Sequence, residues 1–275
     1  MSQDNNLYEY DKDETALYIK TYLFIKGFAT GRQMTQTLYA LPLARYLHNG
    51  QYRSGTVNIN GNKQQLPYIL HVLKVASTLL AINLPFNDRD MDIIIAAALL
   101  HDILEDCSDK IPDKKWLTET HHISEEVYEI VQLLTKKKGA TKKQLTEYFD
   151  NIKKNKFAIL IKLSDRSHNV EDLYNMHINR LHNYVKETRE YIYPLASYVK
   201  NEYPELSTCI TILKSKIVSL TELTETLTVM YDEKIAFINA EKNAKIEQLK
   251  TIIDDQQQKL SKIQNSKSED QKETI

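Results

Sequence analysis

DMDIIIAAALLHDILED, residues Asp90 to Asp106, holds neither glycine nor proline and reads as a helix whose last positions turn abruptly ionisable. His101 and Glu105, and Asp102 and Asp106, are each spaced i, i+4, so both pairs project from neighbouring stripes of one helical face. Around them the stretch from Ala97 is apolar. Burying such groups without partners costs several kcal/mol each, roughly, so a divalent cation is the natural compensating partner.

The rest of the chain supports helices too. Only 6 glycines and 6 prolines punctuate 275 residues, which predicts an all-α protein with a core of ordinary size. A net charge of -1, from 36 basic and 37 acidic residues, gives no global electrostatic case for nucleic acid or an anionic membrane. Any phosphate-binding surface is therefore local. Cys107 and Cys209 have no CxxC spacing, and no segment has the apolar length of a signal peptide or membrane span. The expected setting is cytoplasmic and reducing.

Working outward, ALYIKTYLFIKGF and QTLYALPLARYLHNG carry apolar residues at helical spacing with Gly near the end. GTVNINGNKQQLP follows, with turn chemistry at Gly55, Asn60-Gly61 and Pro67 and a candidate hairpin around the Asn-Gly. From Tyr68, successive helices are separated by short polar connections, with Ser124, Glu126, Asp88 and Asp90 as caps and first-turn acids. From about Leu206 to Ile263 there is no Gly or Pro, and Ile246, Leu249, Ile253, Leu260 and Ile263 fit a heptad with Gln256 as a polar core position. A long helix packing back on the domain and a self-associating coiled coil both fit. The predicted organisation is an N-terminal helical extension over 1–30, a catalytic domain over 31–205, a long helix or coiled coil over 206–263 and a disordered tail over 264–275.

Three separated pieces supply candidate metal ligands: His71 in YILHVLKVA, the His101-Asp102 pair, and Asp165 in IKLSDRSHN. A lone His on an apolar face is ordinarily a hydrogen-bonded core residue, so each piece alone is weak. Together they form a hard nitrogen and oxygen set without Cys, suited to Mn, Fe or Mg more than to structural Zn.

With these residues in view, the chain resembles the HD-domain superfamily of metal phosphohydrolases, and within it the hydrolase domain of RelA/SpoT-type alarmone enzymes. The resemblance runs from about His48 to Ala196 in five ordered blocks: HNGQYRSG, PYILHVLKVA, LLHDILED, IKLSDRSHNV and KETREYIYPLA. An HD dipeptide is common, whereas HD followed by ED is much more specific.

The resemblance implies an HD-domain helical bundle in which His71, His101, Asp102 and Asp165 hold one Mn2+, with other divalent cations as possible occupants of the same ligand set. It places Glu105 and Asp106 beside the activated water, to orient and deprotonate it, as a carboxylate near a metal-acidified water does on general grounds. It implies release of the 3′-pyrophosphate of ppGpp or pppGpp, leaving GDP or GTP. It also places Arg53, Ser54 and Asn169 against the nucleotide; Arg clamps phosphate or stacks on a base. Tyr68 is read as a ribose or base contact, with packing an equal reading. Arg166 is read as an ion pair steadying the acidic cluster. His48, His121, His122, His177 and His182 are read as surface or supporting residues.

Three features qualify the resemblance. Only about eighty helical residues follow the hydrolase blocks, so a synthetase activity is not expected. The segment TVNINGNKQQL separates RSG from PYILH, which the family joins closely, and a reshaped pocket opens the way to an adenine alarmone or another 3′-phosphorylated nucleotide. Cys107 stands where the family often has Thr. Eight Lys between Lys136 and Lys156 face only Glu147 and Asp150; a solvated helix face is the usual reading, and steering of an anionic nucleotide is the other. The functional alternatives are thus an HD phosphohydrolase of another nucleotide, and an alarmone-sensing protein that signals through its C-terminal helix. The expected partners are a small nucleotide and, through that helix, a second copy of the chain, with neither nucleic acid nor membrane.

Overall fold

A computed structural model describes residues 12–59, 62–171 and 178–270, with side chains over 17–53, 65–171 and 181–262. The Asn60-Gly61 turn, the Ser54 side chain, His177, the Ile263 side chain and the last residues of the tail lie outside the described residues.

Helix α1 (Lys12–Gly31) runs straight through Gly27, which the sequence pattern suggested as its end. Its buried Ile25 and Ala29 lie on either side of that glycine, so packing offsets the ~1 kcal/mol that glycine costs inside a helix. In α2 (Thr35–Leu47), the orphan N–H groups of Gln36 and Thr37 donate to the Asp92 carboxylate at 2.9 and 2.7 Å. Gly50, at φ +79°, then turns the chain into β1 (Tyr52–Ile59). This strand pairs antiparallel with β2 (Asn62–Pro67), from Ile59 opposite Asn62 to Thr56 opposite Gln65, with an irregularity before Tyr52 meets Pro67. The hairpin suggested by Asn-Gly chemistry therefore forms, as the described sheet of an otherwise helical protein.

Immediately after the hairpin comes α3 (Ile69–Ala81), followed by α4 (Asp88–Leu100). The N-cap of α4 is Asn87, which accepts from Asp90 N–H at 2.9 Å, while Asp88 and Asp90 occupy the first turn. Every residue from Ile93 to Leu100 is buried, because α4 is flanked by α2 and α3 and by helices still to come. The stretch that reads as a single helix is interrupted at His101-Asp102, and α5 (Ile103–Asp106) is a separate turn. His101 Nδ1 donates to the Ala98 carbonyl at 2.8 Å, the acceptor that the Asp102 N–H would use in an unbroken helix.

The remaining helices are α6 (Glu125–Leu134), capped by Ser124; α7 (Lys142–Ile152), with a Thr141/Gln144 capping box; and α8 (Lys156–Asn169), capped by Asn155. They are followed by α9 (Ile178–Glu187), α10 (Tyr193–Glu202) and α11 (Ser207–Asp270). Helices α3, α4 and α8 pack on one another, and α6 covers α4 and α8. The first compact unit ends at Thr224, and its core includes Leu206, Cys209, Ile210, Leu213 and Ile217. The second unit begins at Glu225; from residue 229 to 262 every side chain is exposed, including Ile246, Leu249, Ile253 and Leu260 of the heptad. Helix α11 is described through Asp270, past residue 263 where the sequence pattern ends it. Cys107 and Cys209 are free and buried. Among the described residues no helix is long and apolar enough to cross a membrane.

Candidate metal centre

The ends of three helices meet at one polar point inside this core. His71 comes from the first turn of α3, His101 and Asp102 from the break after α4, and Asp165 from the last turns of α8. His71, His101 and Asp165 are 5, 2 and 4 % exposed. One ligand atom from each lies within 4.8 Å of the others. Asp102 completes the group: its Oδ2 is 2.9 Å from His101 Nε2 and 3.7 Å from His71 Nε2, while Asp165 Oδ1 is 3.1 and 3.8 Å from His71 and His101. The C-terminal end of α4 points here as well, and its dipole favours a cation.

Whether these residues fit a divalent ion can be judged from their own bonding. Because the Ala98 carbonyl only accepts, His101 Nδ1 carries a proton, which leaves Nε2 as the atom that faces the carboxylates. The Nε2 atoms of both His71 and His101 are buried without a hydrogen bond of good geometry, although carboxylates stand close. Two imidazole nitrogens and two carboxylates converging without mutual hydrogen bonds is a donor set that a divalent cation satisfies. The electrostatics differ between the two histidines. Burial depresses His71 to about 4, so it stays neutral. Burial also works against charge on His101, but the Asp102 and Asp165 carboxylates overcome it and raise the imidazole to about 10. Burial likewise disfavours the Asp165 anion; Lys162 and the two histidines nevertheless hold that carboxyl well below the usual range.

Tyr68 lies next to the ligands. Its hydroxyl donates to Asp102 Oδ2 at 2.6 Å, and its ring stacks on His48 at 4.9 Å and meets the His71 edge at 5.5 Å. Burial keeps the phenol protonated, so it remains a donor. The geometry ties Tyr68 to a ligand carboxylate. Arg53 donates to Asn169 Oδ1 at 2.8 Å, and Asn169 in turn donates to Asp165 Oδ1, so the two residues expected at the nucleotide connect to the cluster.

The two acids of α5 diverge. Glu105 Oε1 accepts from the Lys136 backbone N–H, and burial pushes its carboxyl up. The Asp106 side chain is one-third exposed and lies 3.7 Å from Lys138 Nζ; its backbone carbonyl accepts from Gln51 Nε2 at 2.7 Å. Arg166 does form an ion pair, but with Glu187, and it also donates to Thr188 Oγ1 at 3.0 Å with its guanidinium 4.0 Å over the Tyr184 ring. It ties α8 to the end of α9 and to Thr188, rather than to the candidate-ligand acids.

Several neighbours escape the sequence pattern. Lys162 Nζ is 3.0 Å from Asp165 Oδ2; its position three residues before Asp165 on one helix face is a signal that was available. His48 is buried, with Nδ1 donating to Gln51 Oε1 at 2.7 Å, whereas His122 and His182 are exposed and His121 lies against Trp116. No local pattern marks His48, because the turn at Gly50 brings it under Tyr68. Of the eight lysines, Lys136, Lys138, Lys142, Lys143 and Lys153 pair with Glu187, Asp106, Glu190, Glu147 and Asp150, so much of that charge is matched.

Comparison with known proteins agrees with the site. The HD domain family matches residues 40–198, a span containing all the residues above from Gln51 to Glu190. A guanosine-3′,5′-bis(diphosphate) 3′-pyrophosphohydrolase of Haemophilus influenzae is 31% identical over 177 residues, covering 60% of this chain and 23% of the relative. The bifunctional (p)ppGpp synthase/hydrolase SpoT of Escherichia coli K12 is 32% identical over 195 residues, covering 66% and 25%. A GTP pyrophosphokinase of Myxococcus xanthus is 29% identical over 178 residues, covering 59% and 22%. The chain thus spans about a quarter of the length of the curated relatives it matches. With its ligand-bearing helices inside the matched span, the chain belongs to the HD domain family, and its likeness there is to RelA/SpoT-type hydrolases.

Proposed function

We propose that this protein removes the 3′-pyrophosphate of guanosine alarmones, converting ppGpp to GDP and pppGpp to GTP. The carrying observation is the convergence of buried His71, His101 and Asp165, with Asp102 beside them, where the Nε2 atoms of both histidines have no hydrogen-bond partner. The guanosine substrate is taken from the names of the relatives. In this reading those four residues hold Mn2+, and Fe2+ or Mg2+ are compatible with the same donors. A divalent ion there supplies Lewis acidity, lowering the pKa of water and offsetting phosphate charge.

The chain's own groups do the rest. Glu105, with its carboxyl raised by burial, accepts the proton from the attacking water, while Asp106 orients that water. The water oxygen bonds to the phosphorus on the ribose 3′ oxygen as the P–O3′ bond breaks; pyrophosphate is released, and the 3′ oxygen leaves as a hydroxyl by taking a proton from solvent, to which Glu105 returns the one it accepted. Arg53, Ser54 and Asn169 hold the nucleotide, and Tyr68 fixes the Asp102 carboxylate. The hairpin carrying Arg53 supports a second reading of substrate, an adenine alarmone or another 3′-phosphorylated nucleotide, because it alters the wall next to Asn169.

The second unit supports a further assignment, self-association of α11 as a coiled coil. Ile246 and Ile253 at a and Leu249 at d are the pattern that favours two parallel strands, and all are exposed here. We assign the protein to the cytoplasm, in keeping with two buried free thiols.

Chelator-stripped protein given Mn2+ and ppGpp, pppGpp or their adenine counterparts tests the activity. Metal-dependent pyrophosphate with GDP or GTP is expected. Turnover only of adenine substrates sinks the guanosine reading, and metal binding with no turnover points to a sensing role.

A further inference from the structure

His168 ties three helices together at the edge of the metal cluster. It lies on α8 three residues after Asp165, and its ring meets His71 edge to face with centroids 6.4 Å apart. His168 Nε2 is 2.8 Å from Thr78 Oγ1, and Nδ1 is 3.2 Å from Glu171 Oε2. A carboxylate only accepts, so Nδ1 carries the proton and the Thr78 hydroxyl donates to Nε2. Thr78 is on α3, two turns beyond His71 and on the same face. One imidazole thus bridges the two helices that deliver His71 and Asp165. The other Glu171 oxygen accepts from Lys216 Nζ of α11 at 2.6 Å. Its bonds to His168 and Lys216 hold the Glu171 carboxyl down at about 2.

We propose that Lys216 is a positioning residue for the metal ligands, acting through Glu171 and His168. Lys216 fixes the Glu171 carboxylate, Glu171 fixes the tautomer and angle of His168, and His168 sets the spacing of α3 and α8 where His71 and Asp165 project. The opening turns of α11 then support the metal site as well as cover the core. This rests on the reading that His71, His101, Asp102 and Asp165 hold a metal. The competing role is a half-exposed ion pair of little consequence.

Titration calorimetry with Mn2+ alone on the stripped full-length chain separates them, alongside thermal melts of the metal-free proteins. Lys216→Met and Glu171→Gln are expected to weaken Mn2+ binding about tenfold, the low end for loss of a residue that orients a ligand. Lys216→Arg should bind as the wild type does, and the metal-free melting temperatures should agree within about 2 °C. Unchanged Mn2+ affinity in both charge-removing variants overturns the proposal. So does a loss shared by Lys216→Arg, or one accompanied by a large fall in metal-free stability, since either marks general loosening. If the wild-type chain binds no Mn2+, the metal reading itself fails; if it binds Mn2+ but leaves alarmones intact, only the substrate assignment fails.

Discussion

Residues 93–100 and residues 229–262 are both helical and both rich in Ile and Leu, yet the first run is wholly buried and the second wholly exposed. In α4 the surrounding helices remove the apolar side chains from water, each large one contributing about 1.5–3 kcal/mol. That core also holds His101 and Asp102, at the end of the same stretch, against His71 of α3 and Asp165 of α8. In the second unit the side chains of residues 229–262 are exposed, and Ile246, Leu249, Ile253 and Leu260 share a heptad spacing among them. The first run is apolar throughout, whereas the second interleaves its Ile and Leu with charged and amide side chains, so the pattern along the chain differs as well as the exposure.

The largest expected effect breaks the buried side of this comparison at its polar end. Asp102→Asn should abolish Mn2+ binding and hydrolysis together, beyond the ~10²-fold typical when only an outer partner of a ligand is lost; calorimetry and pyrophosphate release check both. Glu105→Gln should behave differently, keeping Mn2+ affinity while slowing turnover by ~10²–10⁴-fold in single-turnover assays. Wild-type turnover by that variant would remove Glu105 from its role.

Next in size is a pair of matched truncations. Ile94→Ala should destabilise the folded domain by about 2–5 kcal/mol in urea unfolding, because it leaves a cavity in the fully packed α4 layer. Ile253→Ala should leave domain unfolding unchanged and instead weaken self-association in sedimentation equilibrium. Equal effects on domain stability would show that the two helical stretches are not different environments.

The smallest effect concerns protons. In the absence of an ion, His101 is raised to about 10, so near pH 7 it holds a proton that a metal must displace. About one proton should therefore be released per ion bound, read as a dependence of calorimetric heat on buffer ionisation enthalpy. Apparent affinity should rise with pH until His101 is deprotonated. The sign for stability is the reverse: a histidine raised above its usual 6.5 contributes to the metal-free fold below that value, and this is lost as pH rises through about 10.

Much of this protein was legible along the chain. The helices and the hairpin on either side of Asn60-Gly61 follow from local periodicity and turn chemistry, and the candidate set His71, His101, Asp102 and Asp165 follows from donor types in three motifs together with the family resemblance. The break at His101-Asp102 was not legible, because it depends on an imidazole competing for the Ala98 carbonyl. Nor was Tyr68 as a partner of Asp102, Arg166 as a partner of Glu187, or His48 as a buried base under Tyr68. Backbone preferences and apolar spacing act over a few residues, so the sequence by itself determined the helices, the hairpin and the donor set. Which side chains pair across those helices is set by distances between residues far apart in the chain, and only the packing of α3, α4 and α8 decided that.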